Sequence, residues 1–193
     1  SRYDNFYDWH FLNMELDDNY KDIVPSKKGD IFIAINRCID ILESDSASDS
    51  EKSFYLKLLV HFVGDLHQPL HIGRYEDRGA NRVYVKWFGR NSNLHRVWDS
   101  DMINSHNMSY SELAINLPNP DFLVFTDEAK DFERADILDW VNEIHVYTNQ
   151  IYAGVSVDDK LGYEYQYKNF GTVEELLLIG GIRLAKILNY LFD

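Results

Sequence analysis

Cysteine, positive charge and long apolar runs are all scarce in this chain of 193 residues. The single cysteine, Cys38, excludes an intrachain disulfide. No apolar run approaches the roughly 18 residues that a membrane span needs, since the longest candidate, Leu56 to Val63, is interrupted by Lys57 and His61. No secretory signal opens the chain, because Ser1 to His10 is polar and aromatic without a cationic start.

Positive charge is outnumbered, since 19 Lys and Arg face 32 Asp and Glu and leave a net charge of −13. This balance argues against a basic groove that grips phosphates through counterion release. A phosphate substrate is still compatible with the composition if bound metal cations supply positive charge locally. The apolar fraction of 45% and the aromatic fraction of 15% predict a packed globular domain with a sizeable core.

The spacing of apolar residues is mostly helical. Gly180-Gly181 inside the last predicted helix costs stability and therefore indicates close helix packing. No internal repeat or domain linker is visible, so we predict one all-α domain over residues 1–193 with a small β-hairpin excursion near residues 80–90. The strand signal is the alternation in Arg82 to Phe88, and the predicted helices are Asp30–Leu42, about Ser48–Leu66, Ser92–Ile103, Tyr110–Asn116, Asp136–Ala153 and Thr172–Phe192.

The segment His61-Phe-Val-Gly-Asp65-Leu-His-Gln-Pro-Leu-His71 carries the first chemical signal. His61 and Asp65 are four residues apart on a predicted helix, so their side chains emerge on one face. An imidazole nitrogen and a carboxylate oxygen are a good ligand set for zinc. Pro69 ends the helix and lets His71 turn toward a different point.

His95 and Asp99 form a second pair with the same spacing, and His10 stands in Asp8-Trp9-His10-Phe11. One such pair is usually a surface or capping interaction. Two pairs with a further histidine beside a helix-ending proline leave metal binding and ordinary surface pairing as two open alternatives. We interpret Cys38 as a core residue, and three further histidines as ordinary polar residues: His67, His106 and His145.

Taken together, these motifs resemble the signature of the S1/P1 nuclease family, in the family's order and over nearly the whole chain. The resemblance implies an all-α enzyme with three zinc ions that hydrolyses single-stranded DNA and RNA to 5′-phosphates. It also implies, as in many members, removal of 3′-phosphates from nucleotides. The matching segments are Trp9-His10-Phe11, His61-Phe-Val-Gly-Asp65-x-x-Gln68-Pro69-Leu70-His71, Asp77-Arg-Gly-Ala-Asn81, Asn93-Leu94-His95-x-x-Trp98-Asp99 and Gly181-Ile-Arg183-Leu-Ala-x-x-Leu-Asn189.

The resemblance assigns the zinc ligands residue by residue. It implies one complete site that keeps positions open for water or a phosphate oxygen, and three of the four protein ligands of a second site. Asp65 resembles the carboxylate that bridges to a third zinc, which gives it a catalytic role. The complete site is His71, His95 and Asp99, and the second is His10, His61 and Asp65.

The family's remaining ligands are a terminal Trp, a nearby His and an Asp before the Trp-His motif. Ser1 to Trp9 does not supply them at the family's spacing, because Asp4 and Asp8 lie too close to His10. We therefore expect an N-terminally incomplete domain that retains one or two of the three zinc ions. Such a chain should be less active than its full-length parent.

The resemblance also places substrate contacts beside His10. Phe11 matches the aromatic residue on which the base stacks, while Asn13 stands where some members have an Asp that bonds the base edge. Because stacking tolerates every base, Phe11 favours weak base selectivity. The implied partners are single-stranded nucleic acid or nucleotides, with no obligate protein partner evident.

The resemblance suggests secretion or a periplasm-like compartment, and Asn107-Met-Ser109 is a glycosylation sequon. Two other functions remain open at this stage. One is a zinc phospholipase C-like lipid hydrolase, which shares the superfamily fold, and the other is a non-catalytic helical domain with an incomplete metal site. An HD-type phosphohydrolase is excluded, because it requires adjacent His-Asp, which the sequence lacks.

Overall fold

The structure of the protein, a computed structural model, describes residues 4–117 and 131–193. The domain is mainly helical, as predicted. None of the helices in the described ranges combines the length and apolarity needed to cross a membrane. The helices are α1 Ile31–Glu43, α2 Asp49–Leu66, α3 Leu94–Arg96, α4 Met102–His106, α5 Tyr110–Asn116, α6 Asp136–Ala153 and α7 Tyr163–Phe192. The strands are β1 Leu12–Asn13, β2 Ile72–Gly73, β3 Tyr84–Trp87, β4 Arg90–Asn93 and β5 Lys160–Leu161.

Helices α1 and α2 begin at polar caps and pack against each other. The Asp30 carboxylate accepts a hydrogen bond from the Ile33 amide at 3.0 Å, and the Ser48 hydroxyl accepts one from the Glu51 amide at 3.3 Å. The apolar stripe of α1 is fully buried, and burial raises the pKa of the Cys38 thiol to about 12. The prediction that Cys38 is a core residue is therefore confirmed.

The helix predicted from about Ser92 begins two residues later, at Leu94, because Ser92 belongs to β4. Phe88 and Gly89 both have positive φ angles, 46° and 79°, as a two-residue type I′ turn requires. The chain therefore returns antiparallel to β3 as β4, with Tyr84 opposite Asn93. The following helical region is interrupted by a π-helical segment, Val97–Asp101.

Helix α7 begins at Tyr163, nine residues before the predicted start at Thr172. Two short sheets complete the fold. In one, β1 and β2 pair in parallel, with Leu12 opposite Ile72. In the other, the strand order is β4-β3-β5, and β3 pairs with β5 in parallel. The remaining long helix, Asp136–Ala153, has the predicted bounds.

His67 follows the end of α2 and is buried against α7. Since Arg183 can only donate, its guanidinium donates to Nε2 of His67 at 3.1 Å, and the Nδ1–H of His67 donates to the Val63 carbonyl at 2.7 Å. Burial and the Arg183 charge lower the pKa of His67 to about 3. This histidine is therefore a neutral packing group that joins α2 to α7.

Close packing was predicted at Gly180 and Gly181 of α7, and the structure shows it at Gly180 only. A Cβ on Gly180 would lie 3.1 Å from Cγ of His67, whereas a Cβ on Gly181 would meet no atom within 4 Å. Of the two glycines, only Gly180 lies where a side chain would interfere with the packing of His67 against α7.

These two glycines provide a matched stability test. Gly181→Ala should stabilise the protein by about 0.5–1 kcal/mol, because alanine favours the helix and meets no neighbour. Gly180→Ala should destabilise it by about 1–3 kcal/mol, because the added methyl crowds the ring of His67. Urea unfolding followed by circular dichroism measures both free energies, and similar values for the two variants would contradict this packing.

Candidate metal centre

Histidine and aspartate side chains converge in two groups, each able to offer three ligand atoms to one ion. In the first group, Nδ1 of His10 lies 2.8 Å from Oδ2 of Asp65 and 3.0 Å from Nε2 of His61. Nε2 of His61 lies 3.2 Å from the same Asp65 oxygen. Ligand atoms about 2 Å from a tetrahedral zinc ion are themselves roughly 3.3 Å apart, so this spacing suits a single ion.

Hydrogen bonds alone do not account for all three close contacts in this first group. The three atoms approach one another mutually, and one proton can serve only one of the three contacts at a time. A cation at the centre would be bound by all three atoms. The donor set, two imidazoles and one carboxylate, is one that zinc prefers. The residues therefore fit a metal ion on chemical grounds.

Buried neighbours hold the candidate ligands of the first group in place. His61 and Asp65 lie one turn apart on α2, where Phe62 between them is fully buried. The His10 ring packs edge-on against Phe62 at 5.2 Å between centroids. Asp8 is directed elsewhere, with its carboxylate 3.4 Å from Nζ of Lys28, and the side chain of Asp4 lies outside the described part of the structure.

The second group contains His71, His95 and Asp99. The two imidazole rings stack with centroids 5.1 Å apart and an interplanar angle of 10°. Nε2 of His71 lies 3.5 Å from Oδ1 of Asp99. His95 and Asp99 are four residues apart, but they do not lie on one regular α-helix as predicted. His95 lies on α3, whereas Asp99 lies on the π-helical segment.

His95 is oriented by a backbone carbonyl. Its Nδ1–H donates to the carbonyl oxygen of Gly79 at 2.7 Å, which leaves the Nε2 lone pair available to a metal. A second hydrogen bond of this kind on the far side of a histidine ring is typical of metal-binding histidines. This contact could not be predicted from residue types, because every residue carries a backbone carbonyl.

The loop that presents this carbonyl is conformationally strained. Arg78, Gly79 and Ala80 have φ angles of 58°, 61° and 63°, a left-handed run that costs a residue with a side chain about 1–2 kcal/mol. Asp77 holds the run, because its carboxylate accepts from the Ala80 amide at 2.7 Å and from the Tyr152 hydroxyl at 2.8 Å. Strain of this kind is characteristic of functional sites.

Asp65 lies between the two groups. While its Oδ2 faces His10 and His61, its Oδ1 lies 3.8 Å from Nδ1 of His71. That Nδ1 atom is buried and has no hydrogen-bond partner in the described ranges. The pairing of β1 with β2 creates this proximity, because Leu12 and Ile72 are in register and each follows closely on a histidine, His10 or His71.

The charges within the second group favour ligands in their metal-binding protonation state. A hydrogen bond with His71 lowers the pKa of the Asp99 carboxyl, which keeps it ionised. Burial and the charge of His71 lower the pKa of His95, which keeps it neutral. Metal ligands must be deprotonated, so the lowered pKa of His95 favours its metal-binding form.

The two residues predicted to contact a base flank the first group. Phe11 follows His10 directly and is half-buried, and Asn13 lies in β1 opposite Gly73. The exposed ring of Tyr7, which the sequence analysis did not single out, meets the Phe11 ring edge-on at 5.9 Å. Aromatic spacing alone could not separate Tyr7 from the other tyrosines of the chain.

The remaining histidines have structural contacts. The His106 ring stacks on Phe170 at 4.1 Å, and Nε2 of His145 lies 3.0 Å from the carbonyl oxygen of Glu15. Beside the two groups, α2, α7 and the segment that contains Trp98 line an open pocket of about 340 Å³. Its lining is largely apolar, but Asp65 and Asp99 both reach it.

The fold and the site define a mainly helical protein with two adjoining groups of histidine and aspartate residues that could each hold a metal ion. The family model described as S1/P1 Nuclease matches residues 1–193, so the chain belongs to the S1/P1 nuclease family. It is 31% identical over 174 residues to Endonuclease 2 and 34% identical over 160 residues to Endonuclease 4, both of Arabidopsis thaliana. It is also 30% identical over 167 residues to Nuclease S1 of Aspergillus oryzae.

These alignments include 81%, 72% and 75% of this chain but 59%, 50% and 56% of the three relatives. The chain therefore spans little more than half the length of the curated relatives that it matches. The family membership was predicted from the motifs and is confirmed.

The strained loop can be tested with two glycines of similar backbone conformation. Gly89→Ala should cost about 1–2 kcal/mol for its left-handed φ alone, since its Cβ would meet no atom within 4 Å. Gly79→Ala should cost a further 1–3 kcal/mol or so, because its Cβ would lie 2.3 Å from the Leu70 carbonyl oxygen.

Gly79→Ala should also weaken metal binding at His95, because the carbonyl that orients the ring must move. Unfolding free energies and metal titrations of both variants measure these effects. Equal costs and equal metal affinity for the two variants would show that the loop does not orient His95.

Proposed function

We propose that this protein is a zinc-dependent phosphodiesterase that hydrolyses single-stranded DNA or RNA to products with 5′-phosphates. We propose also that it removes 3′-phosphates from nucleotides. The observation that supports this most directly is the pair of three-ligand groups joined through Asp65. The names of the relatives, Endonuclease 2, Endonuclease 4 and Nuclease S1, give the reaction class.

Zinc is the ion that best suits both groups. Each offers two imidazole nitrogens and one carboxylate, a ligand set with fewer oxygens than Mg²⁺ or Ca²⁺ prefers. Three protein ligands per ion leave a position open, as catalytic sites require. Bound zinc supplies Lewis acidity and brings the pKa of water close to neutral, so that hydroxide is available for attack on phosphorus.

The chain's own residues position the reactants. Asp65 fixes the separation of the two groups, and the Gly79 carbonyl fixes the direction of the free His95 nitrogen. Phe11 offers a stacking surface one residue from His10. The proposal also reconciles a phosphate substrate with a net charge of −13, because the positive charge needed at the site is supplied by cations.

A lipid hydrolase of the phospholipase C type remains the second candidate. The observation in its favour is the largely apolar cavity beside Asp65 and Asp99, which would suit an acyl chain. Hydrolysis of phosphatidylcholine liposomes at a rate comparable to that of oligonucleotides would favour this candidate over the nuclease.

The zinc sites can be counted by substitution. His95→Ala should remove about one equivalent of bound zinc, because two ligands do not hold the ion against water. Asp65→Asn should weaken binding at both groups, because its two oxygens face both. Atomic emission on dialysed protein measures zinc per chain, with His106→Ala as the control histidine outside both groups. Unchanged zinc content in His95→Ala would contradict the assignment of His95 as a zinc ligand.

Strand preference tests the stacking surface. A matched single-stranded oligonucleotide should be cleaved faster than its duplex, because Phe11 can stack only on a base that has left the helix. Phe11→Ala should lower kcat/KM on the single strand roughly tenfold, the lower part of the range for one lost base stack. Tyr110→Ala, an exposed tyrosine on α5, is the control. Equal rates on single and double strands would argue for backbone recognition alone.

A further inference from the structure

Gln68 lies between the end of α2 and the turn that carries His71, and glutamine is an unusual choice at this position. It precedes Pro69, which restricts it to extended backbone, with φ −91° and ψ 107°. Its side-chain Oε1 accepts a hydrogen bond from the Leu70 amide at 2.6 Å and so caps the 3₁₀ turn Pro69–His71. Serine, threonine, aspartate and asparagine are the ordinary residues for such a cap. A glutamine in this role suggests that the rest of its carboxamide also has a use.

The other end of the carboxamide is a buried donor. Because the Leu70 N–H can only donate, the atom that meets it must be the oxygen, and this fixes the direction of the NH2 group. Nε2 of Gln68 is shielded from solvent and makes no hydrogen bond of good geometry in the part of the chain that the structure describes. Leaving a buried donor unsatisfied costs free energy. Such a donor therefore calls for an explanation in the chemistry of the site.

The Asp99 carboxylate is the acceptor that this donor faces. The turn Pro69–His71 contacts the π-helical segment that carries Asp99, and Gln68 and Asp99 line the same pocket. The hydrogen bond with His71 is the largest cause of the lowered pKa of the Asp99 carboxyl, and the Gln68 side chain lowers that pKa further. The amide and the carboxylate thus face each other without reaching the geometry of an ordinary hydrogen bond.

Asp99 needs an orienting contact more than the two histidines of its group. Its side chain is 48% exposed, whereas that of His71 is 12% exposed. Nδ1 of His95 donates to the Gly79 carbonyl, and Nδ1 of His71 lies 3.8 Å from Oδ1 of Asp65. A half-exposed carboxylate on an irregular helical segment can rotate away from an ion. Hydrogen bonds from outer residues are what orient metal ligands in proteins.

We propose that Gln68 is a positioning residue for the second ligand group: its Nε2–H donates to one oxygen of Asp99 and directs the other oxygen toward the ion. The same side chain caps the turn that carries His71, so one carboxamide orients two of the three ligands. The inference rests on the proposed zinc-dependent function and extends it to a residue outside both ligand groups. Every ligand of the second group then has one outer partner: Gly79 for His95, Asp65 for His71 and Gln68 for Asp99.

Two backgrounds make the zinc affinity of each group measurable by itself. His61→Ala leaves the second group as the three-ligand site, and His95→Ala leaves the first. Competition with a chromophoric chelator measures the Kd for zinc. In the His61→Ala background, Gln68→Met keeps the length of the side chain but removes both polar ends, and it should weaken zinc binding roughly ten- to a hundredfold, the usual effect of losing an outer partner. In the His95→Ala background, the same substitution should leave the zinc affinity unchanged.

A second substitution separates the donor from the cap. Gln68→Ser keeps a hydroxyl that can cap the turn at Leu70, but it has no group long enough to reach Asp99. It should weaken zinc binding at the second group as much as Gln68→Met does. Gln150→Met makes the same change at an exposed glutamine of α6, and as the control it should bind zinc as its background does. Urea unfolding without zinc measures any effect of these substitutions on the fold.

The outcomes distinguish this inference from the proposed function. Unchanged zinc affinity in Gln68→Ser would refute the donor role, and equal losses in the two backgrounds would indicate a general loss of structure instead. Either result overturns the inference and leaves the zinc-dependent function intact. Absence of zinc from the His61→Ala protein alone would remove the second group as a zinc site, and the inference with it. If the unsubstituted protein binds no zinc, the proposed zinc-dependent function itself fails.

Discussion

The Asp65 carboxylate is the constraint on which both ligand groups depend. One oxygen lies 2.8 Å from His10 and 3.2 Å from His61, while the other lies 3.8 Å from His71. Because a carboxylate is rigid and planar, it fixes the separation and relative orientation of the two groups. It can do so only because α2 is held firmly, through the buried Phe62 and through His67, whose ring fills the space left by Gly180.

A chain with a net charge of −13 must create positive potential locally if it is to act on phosphates. The two ligand groups would do so with cations, which concentrate charge at the reacting phosphate. Metal ions held there would stabilise the negative charge that develops at the reacting phosphate.

Local periodicity was enough to predict much of the fold and the spacing of two ligand pairs. The bounds of α5 and α6, and the cap of α1 at Asp30, follow from interactions between residues a few positions apart, which the sequence displays directly. Predictions failed where backbone conformation overrode side-chain pattern. The turn at Phe88 and Gly89 gave β4 a strand partner, so hydrogen bonding in the hairpin outweighed the helical pattern at Ser92.

The sequence by itself determined which residues could bind a metal, because ligand type and i, i+4 spacing are local properties, as in His61 and Asp65. Only the tertiary structure decided how they combine. His10 meets residues 51 and 55 positions away. Lys86 meets Lys160 through a parallel strand pair 74 positions apart. Such contacts are set by packing and strand register, which depend on the whole core and leave no pattern along the chain.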